Sequence, residues 1–337
     1  MRASNPPVER TRRAERRGAD APVRSHGCAP GADGGSPVPF LGVGVGLRPV
    51  HQEEILRRAE AGTLRIGWLE LLTENYLVPG GRPRRVARQL RELLPVAFHG
   101  VSLSIGSTDP LDGAYLRELR ALADELEPSW ISDHLCWTSV DGVHLHDLLP
   151  LPRTRKVVRH VADRVDRVQQ VLGRRIALEN VSAYLEFADD EMPEWEFLVR
   201  VAEAADCLLV LDVNNVFVSA ANQGFDPGRY LDAIPPSRIA EIHLAGPDRA
   251  GPLLIDTHDR PVRDEVWDLF ARVIRRTGPR STLVEWDDSI PPYDRLEAEA
   301  LRAGEILDAA GSERAPGAGG GLARPPAGRP PWPQPAG

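Results

Sequence analysis

Cysteine is scarce: Cys28, Cys136 and Cys207 are the only three in 337 residues, far apart and never as CxxC. Such spacing supports neither a disulfide framework nor a thiolate zinc knuckle. No run of about 18 apolar residues occurs, so no membrane-spanning helix is expected. The Arg-rich start lacks the apolar stretch of an export signal, which leaves a reducing cytoplasm as the expected setting. What is present is globular, with 42% hydrophobic and 27% charged residues.

Charge is distributed unevenly. Residues 1–38 carry seven Arg and four acids with few large apolar side chains, and 310–337 are dominated by Pro and Gly. Neither segment can bury a core, and both are expected to be disordered. Removing tails of +3 and +2 from the net −8 leaves −13 on the body, residues 39–309. An acidic body argues against a nucleic-acid partner. It has no Pro/Gly-rich linker, and its size suits a single barrel.

Eight short apolar runs recur through that body: 40–47, 66–72, 96–105, 130–137, 175–181, 207–213, 238–244 and 281–286. Helical spacing separates them, for example Leu116, Leu119, Leu122 and Leu126, or Val157, Val161, Val165, Val168 and Leu172. Strand-like runs alternating with helices indicate parallel βα units, and eight of them predict a closed (β/α)8 TIM barrel in one domain. An open doubly wound sheet is the rival. It would want a Gly-rich first turn, and GVGVG at 42–46 lacks the trailing glycine of a dinucleotide site. After the sixth run, VSAANQGFDPGRYLDAI contains Gly and Pro and predicts a long βα loop.

Ionisable residues fall late in each run. They are Glu70, His99, Asp133 with His134, Glu179 with Asn180, Asp212 followed by Asn214, His243, and Glu285, with Asp256 and His258 in the loop after the seventh run. In a barrel the C-terminal strand ends converge on one mouth. Several carboxylates buried together need cations or protons to compensate them. Mixed His and carboxylate donors suit Fe, Mn or Zn, and this number exceeds what one ion uses. Glu179 and Asp212, from central runs, are the expected bridges. His51 and His160 lie on helical patterns and are expected at the surface; His144 and His146 either line the mouth or belong to a loop. Ser102 and Ser104 near His99 raise a hydrolase, but no GxSxG elbow exists. From the residues alone, a Mn- or Zn-dependent sugar isomerase or phosphoesterase and a non-catalytic binding barrel stay open beside an oxidase.

Seven motifs in order carry a resemblance: HGVSLSIG at 99–106, SDHLCW at 132–137, LENVSAY at 178–184, LDVNNV at 211–216, EIHLAG at 241–246, DTHD at 256–259 and VEWD at 284–287. Over residues 39–308 the chain resembles the multinuclear non-haem iron-dependent oxidases typified by MbnB of methanobactin biosynthesis. The resemblance implies a TIM barrel holding two or three irons, cycling between Fe2+ and Fe3+. It implies metal ligation by His99, His134, Glu179, Asp212, His243, Asp256, His258 and Glu285, with Asn214 as an additional ligand. Asp133, Asn180 and Asp212 are the expected catalytic or supporting groups. The implied reaction uses O2 to oxidise a cysteine of a ribosomally made precursor peptide, presented by a small partner protein, with the thiolate supplied by the substrate.

Overall fold

The computed structural model describes residues 38–314, with side chains to 312. The chain runs β1 (Val43–Gly46), α1 (Gln52–Glu60), β2 (Trp68–Leu72), α2 (Glu74–Leu77), α3 (Gly81–Leu93), β3 (Val96–Gly100), α4 (Gly113–Leu126) and β4 (Ile131–His134). A hairpin follows, β5 (Trp137–Val140) and β6 (Val143–Leu149), then α5 (Arg155–Leu172), β7 (Ala177–Glu179), α6 (Glu194–Ala204), β8 (Leu208–Asp212), α7 (Val213–Gln223) and α8 (Pro227–Ala233). After β9 (Ile239–Leu244) comes a second hairpin, β10 (Gly246–Ala250) and β11 (Leu253–Arg260), and the chain continues through α9 (Asp264–Thr277) and β12 (Thr282–Val284) to α10 (Tyr293–Arg314).

Eight strands close a parallel barrel in the order β1-β12-β9-β8-β7-β4-β3-β2. Each grows out of one of the eight apolar runs, so the fold is the expected TIM barrel. The tails read as disordered lie outside the described residues, except that α10 continues to Arg314, past the expected boundary at 309.

Alternation along the strands decides what enters the barrel. Positions 97 and 99, 177 and 179, 241 and 243, and 283 and 285 share the inward face. Low in the barrel that face is apolar, with Trp68, Ala97, Trp130 and Leu283 packed together. Two residues further along it becomes polar. The alternating glycines of β1 belong to this scheme rather than to a nucleotide loop. A Cβ on Gly44 would sit 2.4 Å from the Trp68 ring, and one on Gly46 would sit 3.1 Å from Arg48 Nε. Outside, helix stripes such as Val161, Val165, Val168 and Leu172 of α5 pack on the sheet.

Two expectations are corrected here. The long loop after the sixth run is absent: α7 begins at Val213, directly after β8, because the Asp212 carboxylate accepts from Asn215 N at 2.6 Å and caps the helix. The Gly and Pro read as loop signals instead end α7 at Gly224 and start α8 at Pro227. His51 is not a surface group: it is buried in a 3-10 turn, its Nε2 lies 2.8 Å from the Pro291 carbonyl, and its ring packs edge-on to Tyr293. His160 is half-buried, with Nε2 2.8 Å from the Ser107 carbonyl.

Candidate metal centre

Six of the expected ligands share the barrel mouth because they occupy inward positions at strand ends or just beyond: His99, His134, Glu179, Asp212, His243 and Glu285. All are buried. Asp256 and His258 come from β11, whose hairpin folds over the mouth. The strand-end groups line or back a cavity of about 610 Å3 that also takes in Arg48, Ser102, His144, His146 and Asp287. His144 and His146 therefore belong to the mouth, on β6.

The donor atoms form linked groups. His99, His134 and Glu179 make one; Glu179, Asp212, His243 and Glu285 make a second; His258, Glu285 and Asp287 make a third. In the first, Glu179 Oε2 lies 3.1 Å from His99 Nε2 and 3.4 Å from His134 Nε2. In the second, Glu179 Oε1 and Glu285 Oε2 lie 3.3 and 3.4 Å from His243 Nδ1. In the third, His258 Nδ1 is 3.2 Å from Glu285 Oε2 and 3.3 Å from Asp287 Oδ2. Its Nε2 is 2.7 Å from Asp256 Oδ1, which also accepts from Asn214 Nδ2 at 2.7 Å. The carboxylates shared between groups are Glu179 and Glu285. Asp212, expected as a bridge, belongs to one group, because its Oδ1 is committed to capping α7.

Local structure aims these atoms. The Ser132 hydroxyl donates to the Phe98 carbonyl at 3.1 Å and so accepts from His99 Nδ1 at 2.8 Å, which leaves the His99 Nε2 lone pair facing Glu179. His134 Nδ1 is 3.1 Å from the Gly100 carbonyl, an acceptor only, so its Nε2 lone pair also points inward. Asn180 and Asp133 stand behind the ligands rather than in the cavity. Asn180 donates to the Asp212 carbonyl and accepts from Asp212 N, both at 3.0 Å, clamping that backbone from both sides. Asp133 accepts from His134 N at 2.8 Å and Leu103 N at 3.2 Å; burial, then the charge of Glu74, push its carboxyl up to about 7.

Glu179 Oε2, Asp212 Oδ2, Asn214 Oδ1, His243 Nδ1 and both ring nitrogens of His258 are buried with no hydrogen-bond partner. Orphaned donor atoms at this density are what a bound cation would satisfy. The electrostatics agree. Burial opposes charge on His99, yet the carboxylates of Glu179 and Glu70 raise it to about 10. Burial also works against an ionised Glu179, and three imidazoles outweigh it and hold the carboxyl below the usual range. The pocket demands positive charge, from protons or from metal. The donor set of imidazoles and carboxylates fits Fe, Mn or Zn.

Sequence reasoning missed two participants, Glu241 and Arg48, and named Glu70 without giving it a role. Glu241 lies two residues before His243 and shares its inward face, and Glu70 stands at the matching depth on β2. With His243 they form a further buried group of potential donors. Arg48, in the β1–α1 turn, reaches Glu285 Oε1 at 3.3 Å and pairs with Asp287. Alternation could have flagged Glu241; nothing in the sequence flags Arg48. The serine facing His99 is Ser132, while Ser104 Oγ accepts from Thr138 N at 2.9 Å in a structural role, so Ser104 and His99 do not form a nucleophile–base pair.

Fold and donors together define a metal-dependent TIM-barrel enzyme. The chain belongs to the family of RiPP precursor modification enzymes MbnB/TglH/ChrH, whose family model matches residues 42–308. It is 54% identical over 271 residues to a UPF0276 protein of Anaeromyxobacter sp. (strain Fw109-5), covering 80% of this chain and 94% of the relative. It is 50% identical over 266 residues to one of Acaryochloris marina (strain MBIC 11017), covering 79% and 95%. An L-ribulose 3-epimerase structure superposes with TM-score 0.53 at 17% identity, over 81% of this chain and 96% of that one. A D-psicose 3-epimerase from Clostridium cellulolyticum H10 gives 0.51 at 12% identity, over 80% and 98%. These likenesses show the shared barrel alone.

Away from the mouth, a small cavity of about 30 Å3 is lined by Leu151, Arg153, Phe187, Glu194 and Phe197, among others. Glu194 is half-buried as a residue, but its carboxyl is sealed: Oε1 accepts from Tyr230 OH at 2.9 Å and Oε2 has no partner. Burial pushes this carboxyl up to about 7. A carboxyl raised on folding favours the folded state below its unfolded value, and that contribution is lost as pH rises through 7. Glu194→Gln, which mimics the protonated acid, is therefore expected to gain stability over the wild type between about pH 4.5 and 7, by on the order of 2–3 kcal/mol at the plateau. Paired thermal melts across that range check it; a difference independent of pH contradicts it.

Proposed function

We propose that this chain is an iron-dependent oxidase that uses O2 to modify cysteine residues of a ribosomally made precursor peptide. The observation that carries the reading is the linkage of three donor groups through Glu179 and Glu285 beneath one open cavity. One group would consist of His99, His134 and Glu179. A second would use Glu179, Asp212, His243 and Glu285. His258, through Nδ1, Glu285 and Asp287 would form a third, with Asp256 and Asn214 on the side of His258 Nε2. Bound iron would supply a coordination position for the substrate thiolate and the electrons that reduce O2.

The chain's own residues then hold and shield. The described cysteines, Cys136 and Cys207, are both buried. Burial pushes the Cys136 thiol well above its usual value, so the thiolate has to arrive with the substrate. The cavity has the volume of a small-ligand site and takes a residue-sized group rather than a folded domain. Around it the βα side exposes Val143 and Leu145 on β6, Tyr184 and Leu185 after β7, and Leu253 at the β10–β11 turn. An apolar rim of this kind supports docking of a peptide together with a small presenting partner. No described helix is long and apolar enough to cross a membrane.

The test is aerobic incubation of anaerobically iron-loaded protein with a cysteine-containing precursor peptide. A mass change on the cysteine is expected, dependent on O2 and abolished in His99→Ala and Glu285→Ala at unchanged circular dichroism. Turnover of a ketose sugar without O2, and none of peptide, would replace this reading with an isomerase.

A further inference from the structure

Asp256 and His258 come from a stretch of β11 that the β10–β11 ladder does not hold. The pairs flanking it are Asp248 with Ile255 and Gly246 with Arg260, so residues 256–259 stand opposite residue 247 alone. That surplus is a bulge, which re-aims side chains out of the regular alternation. His258 sits in it with a left-handed backbone, φ 48°. A bulge without ladder bonds has to place its backbone groups on other elements. Before it, the Asn222 side chain of α7 clamps Leu254, accepting from its N at 3.0 Å and donating to its carbonyl at 2.9 Å. Inside it, Asp256 N donates to the Tyr184 hydroxyl at 2.9 Å, across 72 residues of chain. At its far side, Asp287 N donates to the His258 carbonyl at 2.8 Å.

We infer that Tyr184 is a positioning residue that fixes the bulge of β11 and so sets where Asp256 and His258 stand relative to Glu285. The inference rests on the metal reading above. Tyr184 is firmly mounted. It follows β7, which ends in Glu179, and α7 grips the chain between them. Ser182 Oγ donates to Asn215 Oδ1 at 2.9 Å, Ser219 Oγ accepts from Ala183 N at 3.0 Å, and Gln223 Nε2 donates to the Ala183 carbonyl at 3.1 Å. One protein connection thus runs from the shared carboxylate of Glu179 to the backbone of Asp256. From there Asp256 Oδ1 meets His258 Nε2 at 2.7 Å, and His258 Nδ1 lies 3.2 Å from Glu285 Oε2. The Tyr184 ring is 41% exposed. Core packing therefore does not account for the side chain, and its hydroxyl does. Partners that orient a ligand in this way tune the metal it holds.

Tyr184→Phe keeps the ring and deletes the acceptor. In the full-length variant without added metal, the Asp256 amide is expected to exchange with deuterium faster than in the wild type, while the amides of β7 and β8 keep their rates. Anaerobic titration with Fe2+ alone, and with Co2+ as an optical probe, reads the consequence. Affinity at the group of His258, Glu285 and Asp287 is expected to fall by about twofold to tenfold, the net worth of one hydrogen bond, with a changed Co2+ visible spectrum. Binding at the His99–His134–Glu179 group should hold. Unchanged exchange at Asp256 would overturn the inference. So would faster exchange with every affinity and the Co2+ spectrum unchanged, because the bond would then serve the fold alone. Equal losses at all groups would overturn it too, since the effect would not pass through the bulge. Wild-type protein that binds metal but leaves peptides untouched sinks the proposed function and not this inference. Wild-type protein that binds no metal sinks both.

Discussion

Glu179→Ala is expected to remove more than one metal equivalent per chain, while Asp256→Ala removes at most one. The difference follows from position. Glu179 ends β7 and contributes one oxygen to the pair of histidines on β3 and β4 and the other to His243 on β9. Deleting it takes a ligand from two groups and leaves three imidazoles without the carboxylate they surround. The Asp256 carboxylate meets His258 and Asn214 and is shared with no second group. Peptide turnover in Glu179→Ala should fall by at least about a hundredfold, a loss already reached when groups that merely orient ligands are removed. Elemental analysis of anaerobically loaded protein, beside circular dichroism to confirm the fold, reads the outcome. Full metal content in Glu179→Ala would show that the carboxylate is not shared.

Trp130→Ala is expected to cost about 5 kcal/mol of stability, the sum of an indole-sized cavity and an orphaned carboxylate oxygen. Trp130 is buried at the floor of the barrel, edge-on to Trp68 with ring centroids 5.1 Å apart, and it donates to Glu241. Both losses act where eight strands converge and relaxation is least available. Trp130→Phe separates them, since the ring is largely kept and only the donor is lost, for about 1–3 kcal/mol. At this chain length the alanine variant should melt on the order of 10 °C lower. Equal shifts for the two variants would show that packing is not the main contribution.

The barrel was legible in the sequence because parallel strands buried on both faces appear as short apolar runs, and because helix periods separate them. The mouth was legible for a related reason: a carboxylate or imidazole late in such a run has little reason to be there unless it faces a ligand. Two kinds of feature escaped. The β5–β6 and β10–β11 hairpins are short antiparallel pairs with polar sequences, VHLHDLL and LLIDTHDR, whose partners lie only a few residues away. Their tertiary placement over the mouth, not their composition, makes them strands. Glu241 escaped because an acid in the middle of an apolar run is visible only when the parity of His243 is extended backwards. The start of α7 was misjudged because Asp212 was weighed as a ligand alone, when one of its oxygens is also a helix cap.

The two hairpins give the centre unequal mechanics. His99, His134 and Glu179 are anchored in adjacent ladders of a closed cylinder, where displacing one strand strains its neighbours on both sides. Asp256 and His258 ride on a ribbon whose base is the Gly246–Arg260 pair, and His258 holds a left-handed backbone with φ of 48°. A wall tied into barrel ladders on both sides therefore faces one held by a two-stranded ribbon. Donor groups of the two walls thus depend on different parts of the fold.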